Sequence, residues 1–314
     1  MRFPPVDYAH IVSLLEAPHE KCNVIIDTDT YNEIDDQFAI IHALLSENFT
    51  IEAIQAVPFH NVTRKTKDYQ HGMEMSYEEI HRVLEHSPVK FDGPVLKGSR
   101  ETITATGNAV ESAAATNIIE TASLKQGSPL YILALGALTN VVSAIIQEPA
   151  IRENIVVVAL GGPPYHVSGF HEFNFAQDIE ATKALFDSGV ALVQVPGFGV
   201  SELLRTNRWE MEQHVQGHGA IGDYLFALYE EYVHEFPGRS KPLWDLAPGA
   251  FLINPDWMRT QIRTSPIVDD DIVYSFDMNR HPIRVVDWLN RDEIFKDFFA
   301  KLHKATETTN PTDI

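Results

Sequence analysis

A single cysteine, Cys22, among 314 residues leaves no partner for an intrachain disulfide, and no group of Cys and His has the spacing of a zinc site. A reducing cytoplasm is the compartment this predicts. Basic residues are scarce: 24 Lys and Arg against 44 Asp and Glu give a formal net charge of −20. Such a surface repels the phosphate backbone of nucleic acid and an anionic membrane alike, which favours a neutral or cationic small molecule as ligand. Long apolar runs are missing as well. No stretch approaches the roughly 20 apolar residues of a membrane span, and the N-terminus lacks a basic segment followed by an apolar one. Repeats and low-complexity linkers are absent too, so residues 1–314 read as a single domain, with residues 1–21 as an N-terminal extension and 305–314 as a frayed polar tail.

What is present is an alternation of strand and helix signals. An amphipathic stretch from Ala9 to Leu15 precedes the short apolar run Asn23 to Asp27, a buried-strand pattern. Helical spacing over Gln37 to Leu45 leads to a second strand at Ile51 to Val57. The pattern repeats with helices at Ala109 to Leu124, Leu138 to Gln147 and Ile179 to Ser188, and strands at Leu130 to Leu135, Ile155 to Leu160 and Ala191 to Val195. Strand and helix in alternation predict an α/β fold with a mostly parallel central sheet covered by helices on both faces. Trp209 to Tyr232 reads as helical with an interruption from Gly217 to Gly222, and Ile272 to Phe276 with Pro282 to Val286 reads as a small antiparallel C-terminal hairpin across Asp277-Met278-Asn279-Arg280.

The most informative segment follows the first strand. Asp27, Asp29, Glu33, Asp35 and Asp36 place five carboxylates within ten residues, at the strand end where open α/β sheets bind ligands. Like charges packed together call for a cation, and an all-oxygen set favours Ca²⁺ or Mg²⁺. The alternative is that these carboxylates cap the following helix.

An Asp-x-Asp after the first strand, with Asp-Asp opening the next helix, resembles the inosine-uridine preferring nucleoside hydrolase family. Further matches follow in family order: His60-Asn61 after the second strand, Leu135-Gly136-Ala137-Leu138-Thr139-Asn140 after a later one, Glu172-Phe173-Asn174 after Gly161-Gly162, and Trp244-Asp245 near the end. Two features depart from the family pattern. Five residues, Thr30 to Ile34, separate the second and third Asp where three are usual, and Trp244 replaces the His that often precedes the last Asp.

The resemblance implies a nucleoside hydrolase-like, Rossmann-like core and Ca²⁺-dependent cleavage of ribonucleosides to ribose and free base. It implies Asp29 as general base, and Asp29, Asp36, Asp245 and the Leu135 carbonyl as calcium ligands. Asp35, Asn61, Glu172 and Asn174 would hold the ribose hydroxyls, Trp244 would stack on the base, which suggests a purine preference, and assembly would be a homodimer or homotetramer. Asn32, Glu33, His60 and His166 are further candidates, with His171 a third possible acid. Tyr77, Phe91, Tyr165 and Phe170 are candidates for a second aromatic wall, and Asp178 reads as a structural helix cap. Two competing readings remain. Asp27-Thr28-Asp29-Thr30 also fits the haloacid-dehalogenase-like phosphatases, with the first Asp as nucleophile, and a relative that binds calcium or ribose without turnover would keep the same ligands.

Overall fold

The computed structural model describes residues 3–124, 128–167, 172–233, 236 and 238–307. Strand and helix alternate through the first half: α1 (Tyr8–Leu14), β1 (Cys22–Thr28), α2 (Asp36–Leu44), β2 (Phe49–Ala56), α3 (Tyr69–His86), β3 (Val95–Lys97), α4 (Ile103–Thr106), α5 (Ala113–Leu124), β4 (Leu130–Ala134), α6 (Thr139–Gln147) and β5 (Ile155–Leu160). Then come α7 (Phe173–Gln177), α8 (Ile179–Asp187), β6 (Ala191–Val195), β7 (Arg205–Asn207), α9 (Arg208–His214), α10 (Gly219–Val233), β8 (Ser240–Pro242) and α11 (Leu246–Ile253). The chain closes with β9 (Met258–Thr264), β10 (Ile267–Val268), β11 (Tyr274–Ser275), β12 (Pro282–Leu289) and α12 (Arg291–Glu307).

Eight strands make one sheet in the order β3-β2-β1-β4-β5-β6-β12-β9. Neighbours are parallel except β9, which runs antiparallel on β12 at one edge. The core strands are apolar at nearly every position because both faces are covered, and successive side chains go to opposite faces. Val24, Ile26, Tyr131, Leu133, Val156 and Val158 belong to the core beneath α1, α2, α3, α10, α11 and α12, whereas Ile25, Leu130, Ile132, Ile155 and Val157 belong to the core beneath α5, α6 and α8.

From β1 the chain winds outward through β2 to β3, then returns to β4 on the other side of β1 and winds the opposite way. A crevice opens at the carboxyl ends of β1 and β4, where the winding reverses and the loops diverge. The acidic loop lies at that point.

Several expectations are corrected. The predicted hairpin does not form. Ile272 takes a left-handed φ of 58°, which a β-branched residue rarely adopts, so the extended run shrinks to β11, and β11 pairs with β10. β12 instead enters the main sheet between β6 and β9. The helical region after Trp209 breaks earlier and more briefly than predicted, between α9 and α10, and Gly222 lies inside α10, where an added Cβ would meet the Val215 carbonyl oxygen at 2.2 Å. The helix predicted from Ala109 starts at Ala113. Residues 305–307 still belong to α12, with Thr306 buried, while 308–314 lie outside the described residues. The N-terminal helix is tightly integrated: Ile11 and Leu15 are fully buried, and Arg284 Nε donates to the Leu15 carbonyl at 2.6 Å.

Candidate active site

Asp27 and Asp29 leave β1 pointing into different surroundings. Asp27 is buried, accepts from Asn140 Nδ2 at 2.9 Å, and does not line the crevice. Burial pushes its carboxyl up to about 7, against the stabilising bond from Asn140. A nucleophile must reach its substrate, so the phosphatase reading, which requires Asp27 to attack, does not fit. Asp29 does line the crevice, and its Oδ2 has no hydrogen-bond partner. The chain then turns, Asn32 N donating to the Asp29 carbonyl at 2.6 Å, and reaches Asp35 at the head of α2. Asp35 occupies the cap position yet its side chain caps no helix N–H, so capping alone does not account for the acidic loop.

Other strand ends complete the wall. Leu135 N donates to the Asp27 carbonyl at 2.8 Å, and the next residue has to be glycine, since a Cβ at Gly136 would sit 2.9 Å from Asp29 Oδ1. Asn174 Nδ2 donates to the Leu135 and Leu160 carbonyls at 2.8 and 3.2 Å. Glu172 accepts from the backbone N–H groups of Gly162, Asn174 and Phe175 at 2.9, 2.9 and 3.0 Å, which orders the entry into α7. Asp245 stands at the head of α11. Together Asp29, Asn32, Glu33, Asp35, Asp36, Leu135, Glu172, Asn174, Trp244 and Asp245 line one cavity of about 280 Å³.

Asp35, Asp36 and Asp245 each present a carboxylate oxygen within 4.8 Å of the others, and this cluster can hold a metal ion. Thr28 Oγ1 donates to Asp36 Oδ1 in a short bond. Burial first, and then Asp35, raise Asp36 to about 7. Burial and neighbouring carboxylates hold Asp29 and Asp245 well above the usual range. Protons or a cation must therefore offset the mutual repulsion at neutral pH.

One cation is built in. Lys241, on β8, is fully buried; its Nζ lies 3.0 Å from Asp35 Oδ1, pairs with Glu33 and sits 3.8 Å from the centroid of the Trp244 ring. Burial alone would discharge it, but Asp35 and Glu33 outweigh that effect and raise its pKa. Little in the sequence singles out Lys241. Its only signal is a lysine among the mostly apolar residues Pro242, Leu243 and Trp244. Phe173, Phe198 and Glu202 also line the cavity unforeseen; Phe198 is legible in retrospect as a glycine-flanked aromatic just past β6.

Several candidates lie elsewhere. Asn61 does not line the cavity but stands behind it, its Nδ2 donating to Asn32 Oδ1 at 2.8 Å. His60 Nδ1 meets Thr66 Oγ1 at 2.9 Å, and His166 is exposed; neither lines the cavity. Tyr77 packs on His81, Phe91 borders a separate hollow, and Tyr165 packs on Tyr274 and Phe276. Phe170 and His171 lie outside the described residues. Asp178 accepts from Ile103 N at 2.8 Å, from Thr104 N at 2.9 Å and Oγ1 at 2.7 Å, from Thr139 Oγ1 at 2.7 Å and from Ala181 N at 3.3 Å, so it ties α4, α6 and α8 together.

A clustered, buried carboxylate site that could hold a metal ion, beside an aromatic-walled cavity at the reversal point of a parallel sheet, is where an α/β enzyme places its active site. The chain belongs to the inosine-uridine preferring nucleoside hydrolase family, hydrolases of N-glycosyl bonds, whose family model matches residues 24–296. Among curated relatives, the pyrimidine-specific ribonucleoside hydrolase RihB of Escherichia coli (strain K12 / DH10B) is 27% identical over 184 residues, 56% of this chain and 56% of that protein. The chain thus spans about half the length of that relative. Two solved structures share the fold. The purine-preferring ribonucleoside hydrolase from Gardnerella vaginalis has a TM-score of 0.71 at 18% identity, covering 91% of this chain and 100% of the other. The inosine-uridine preferring nucleoside hydrolase from Bacillus anthracis has a TM-score of 0.69 at 16% identity, covering 90% and 99%. Among the described residues, no helix is long and apolar enough to cross a membrane.

Proposed function

We propose that this protein hydrolyses the N-glycosidic bond of ribonucleosides, giving ribose and a free base, with a calcium ion held by Asp29, Asp36, Asp245 and the Leu135 carbonyl. The observation that carries this reading is the set of carboxylates buried against one cavity beside Trp244. The donor set fits a hard cation. Asp36 and Asp245 belong, with Asp35, to the carboxylate cluster; Asp29, whose Oδ2 is buried without a partner, feels the charge of Asp36, and Leu135 lines the same cavity, so every candidate ligand atom is oxygen, as a hard cation such as calcium favours. When bound, such an ion would polarise a water and offset the carboxylates' repulsion.

The residues' own work follows from their positions. Asp29 takes a proton from the attacking water, whose oxygen bonds to C1′ as the C1′–N bond breaks and its electron pair leaves with the base. Asp35, Glu172 and Asn174, on the cavity wall, engage the ribose hydroxyls, and Asn61 acts at one remove by fixing Asn32. A 2′-deoxy sugar leaves buried polar groups unpaired and is a poor substrate. Trp244, Phe173 and Phe198 are the aromatic residues among the described lining, with no second Trp, so the wall offers a flat base aromatic surface without the paired indoles of a purine-selective sandwich.

The test is release of reducing sugar from inosine, adenosine, guanosine, uridine, cytidine and 2′-deoxyinosine, with and without EGTA. Ribonucleosides are expected to be cleaved, the deoxynucleoside hardly at all, and EGTA is expected to abolish turnover. Asp29→Asn should lower kcat by roughly 10²–10⁴-fold, the range for loss of a general base. Unchanged turnover in EGTA, or in that variant, would refute the mechanism.

A further inference from the structure

Asn32 belongs to the loop Thr30 to Ile34, whose length sets this chain apart from the usual family spacing, and it lines the cavity with only 6% of its surface exposed. All but one of its polar groups are committed. Its N–H donates to the Asp29 carbonyl at 2.6 Å, its carbonyl accepts from Arg64 Nε at 2.6 Å, and its Oδ1 accepts from Asn61 Nδ2 at 2.8 Å. Nδ2 is left. Among the described residues it has no hydrogen-bond partner, yet it is not sealed from solvent as Asp29 Oδ2 is, and the cavity is the open space that Asn32 borders.

Which end of this amide is left over is decided behind the cavity, by a chain of donors. A backbone N–H can only donate, so the Asn61 atom that meets Thr63 N at 2.9 Å is Oδ1, which also accepts from Thr63 Oγ1 at 2.7 Å. The other end of the Asn61 amide is then its NH₂, and the atom it meets on Asn32 must accept. Asn61 also caps the short 3-10 turn Val62–Arg64, and Arg64 returns to the Asn32 carbonyl, so one turn grips Asn32 by side chain and backbone together. Asn174, across the wall, is set the opposite way: its Nδ2 is spent on the Leu135 and Leu160 carbonyls, which leaves Oδ1. The two amides thus present opposite ends, and a hydroxyl, with one proton to give and two lone pairs to fill, can use both. The carboxyl groups around them donate only while protonated; an amide N–H donates at every pH.

We propose that Asn32 is a ribose-binding residue whose Nδ2 donates to one sugar hydroxyl, and that Asn61 is a positioning residue that sets the polarity of this contact from outside the cavity. The proposal rests on the nucleosidase reading above for its substrate. It gives the longer loop a task, which is to carry a sugar-binding amide whose orientation the turn after β2 dictates.

The experiment measures kcat/KM for the calcium-loaded wild type, Asn32→Ala, Asn61→Ala and Asn61→Asp on inosine and its 2′-, 3′- and 5′-deoxy forms. Calorimetric binding of methyl β-D-ribofuranoside and its matching deoxy forms supplies a readout independent of turnover. Asn32→Ala should lower both kcat/KM on inosine and affinity for the riboside by about 2- to 10-fold, the worth of one neutral hydrogen bond. The loss should vanish for the one deoxy form that lacks the bonded hydroxyl. Asn61→Asp is the sharper variant. Its carboxylate still accepts from Thr63 N but cannot donate to Asn32, so the Asn32 amide turns over and puts Oδ1 in the cavity. The same hydroxyl-specific loss should follow without any change to a lining residue. Asn61→Ala removes the cap yet leaves Asn32 free to turn either way, so it should lose less than Asn61→Asp, whereas a purely structural role predicts the reverse. A loss spread evenly over every sugar, no loss, or Asn61→Ala losing as much as Asn61→Asp would overturn the assignment. A wild type that binds the riboside with this variant pattern but cleaves no nucleoside would sink the proposed function and leave the Asn32 contact standing.

Discussion

At the scale of single residues, Asp178 and Asp29 make opposite use of a buried carboxylate. Asp178 receives five donors from α4, α6 and α8, all local to its side of the sheet, and lines no part of the cavity. Replacing it with Ala would strand several buried donors at once, so Asp178→Ala should lower unfolding stability by more than about 3 kcal/mol, checked by urea denaturation. Turnover per folded molecule should change little. Asp29, with one oxygen unpartnered and like charges beside it, is the converse: removing its charge relieves repulsion, so Asp29→Asn should be no less stable than wild type without metal, even as it loses turnover. The two roles were legible in the sequence for different reasons. Asp29 stood in a dense acidic run, whereas Asp178 stood just ahead of a helical pattern. Lys241 was not legible, because its ionic partner Asp35 lies 206 positions away, and no local pattern reports that.

At the scale of elements, the buried strands were the easiest to read, since a run such as Ile155 to Leu160 is apolar throughout when both faces are covered. The long helices α3 and α12 went unread. Each carries many charged and polar residues on its outer side, and their buried positions, Met73, Ile80 and Val83 in one and Phe295, Phe298 and Leu302 in the other, are too sparse to stand out. The hairpin prediction failed because both edges of β12 are taken, by β9 on one side and β6 on the other, which leaves the short β11 to pair with β10. The N-terminal helix gives the sharpest prediction at this scale. Leu15 is wholly buried against the main core, so Leu15→Ala should destabilise by about 2–5 kcal/mol, measured by the midpoint and slope of urea unfolding. A detachable extension would lose far less.

For the molecule as a whole, the acidic site couples stability to pH and to metal. Asp36 ionises near 7 in the folded protein against 3.8 for the free group, so the folded state binds more protons between those values. A raised carboxyl contributes stability that is present below the unfolded value and lost as pH rises through the folded one. Metal-free protein should therefore lose this contribution between about pH 4 and pH 7, and a divalent cation, which needs the ionised carboxylates, should restore it. Thermal melts should show a larger calcium-induced rise in Tm near pH 8 than near pH 5; an equal or smaller rise would contradict the assignment of these carboxylates to the metal. The position of Lys241 has one more consequence, for the chain as it is made. The acidic loop leaves the ribosome some two hundred residues ahead of its counter-ion, and β6 leaves well before β12, the strand that covers its open edge. Synthesis thus passes through a stage in which neighbouring carboxylates lack their ammonium and an apolar strand edge lacks its mate. Premature termination anywhere between β6 and β8 would release a chain with both faults, one that repels itself at the loop and invites association at the edge.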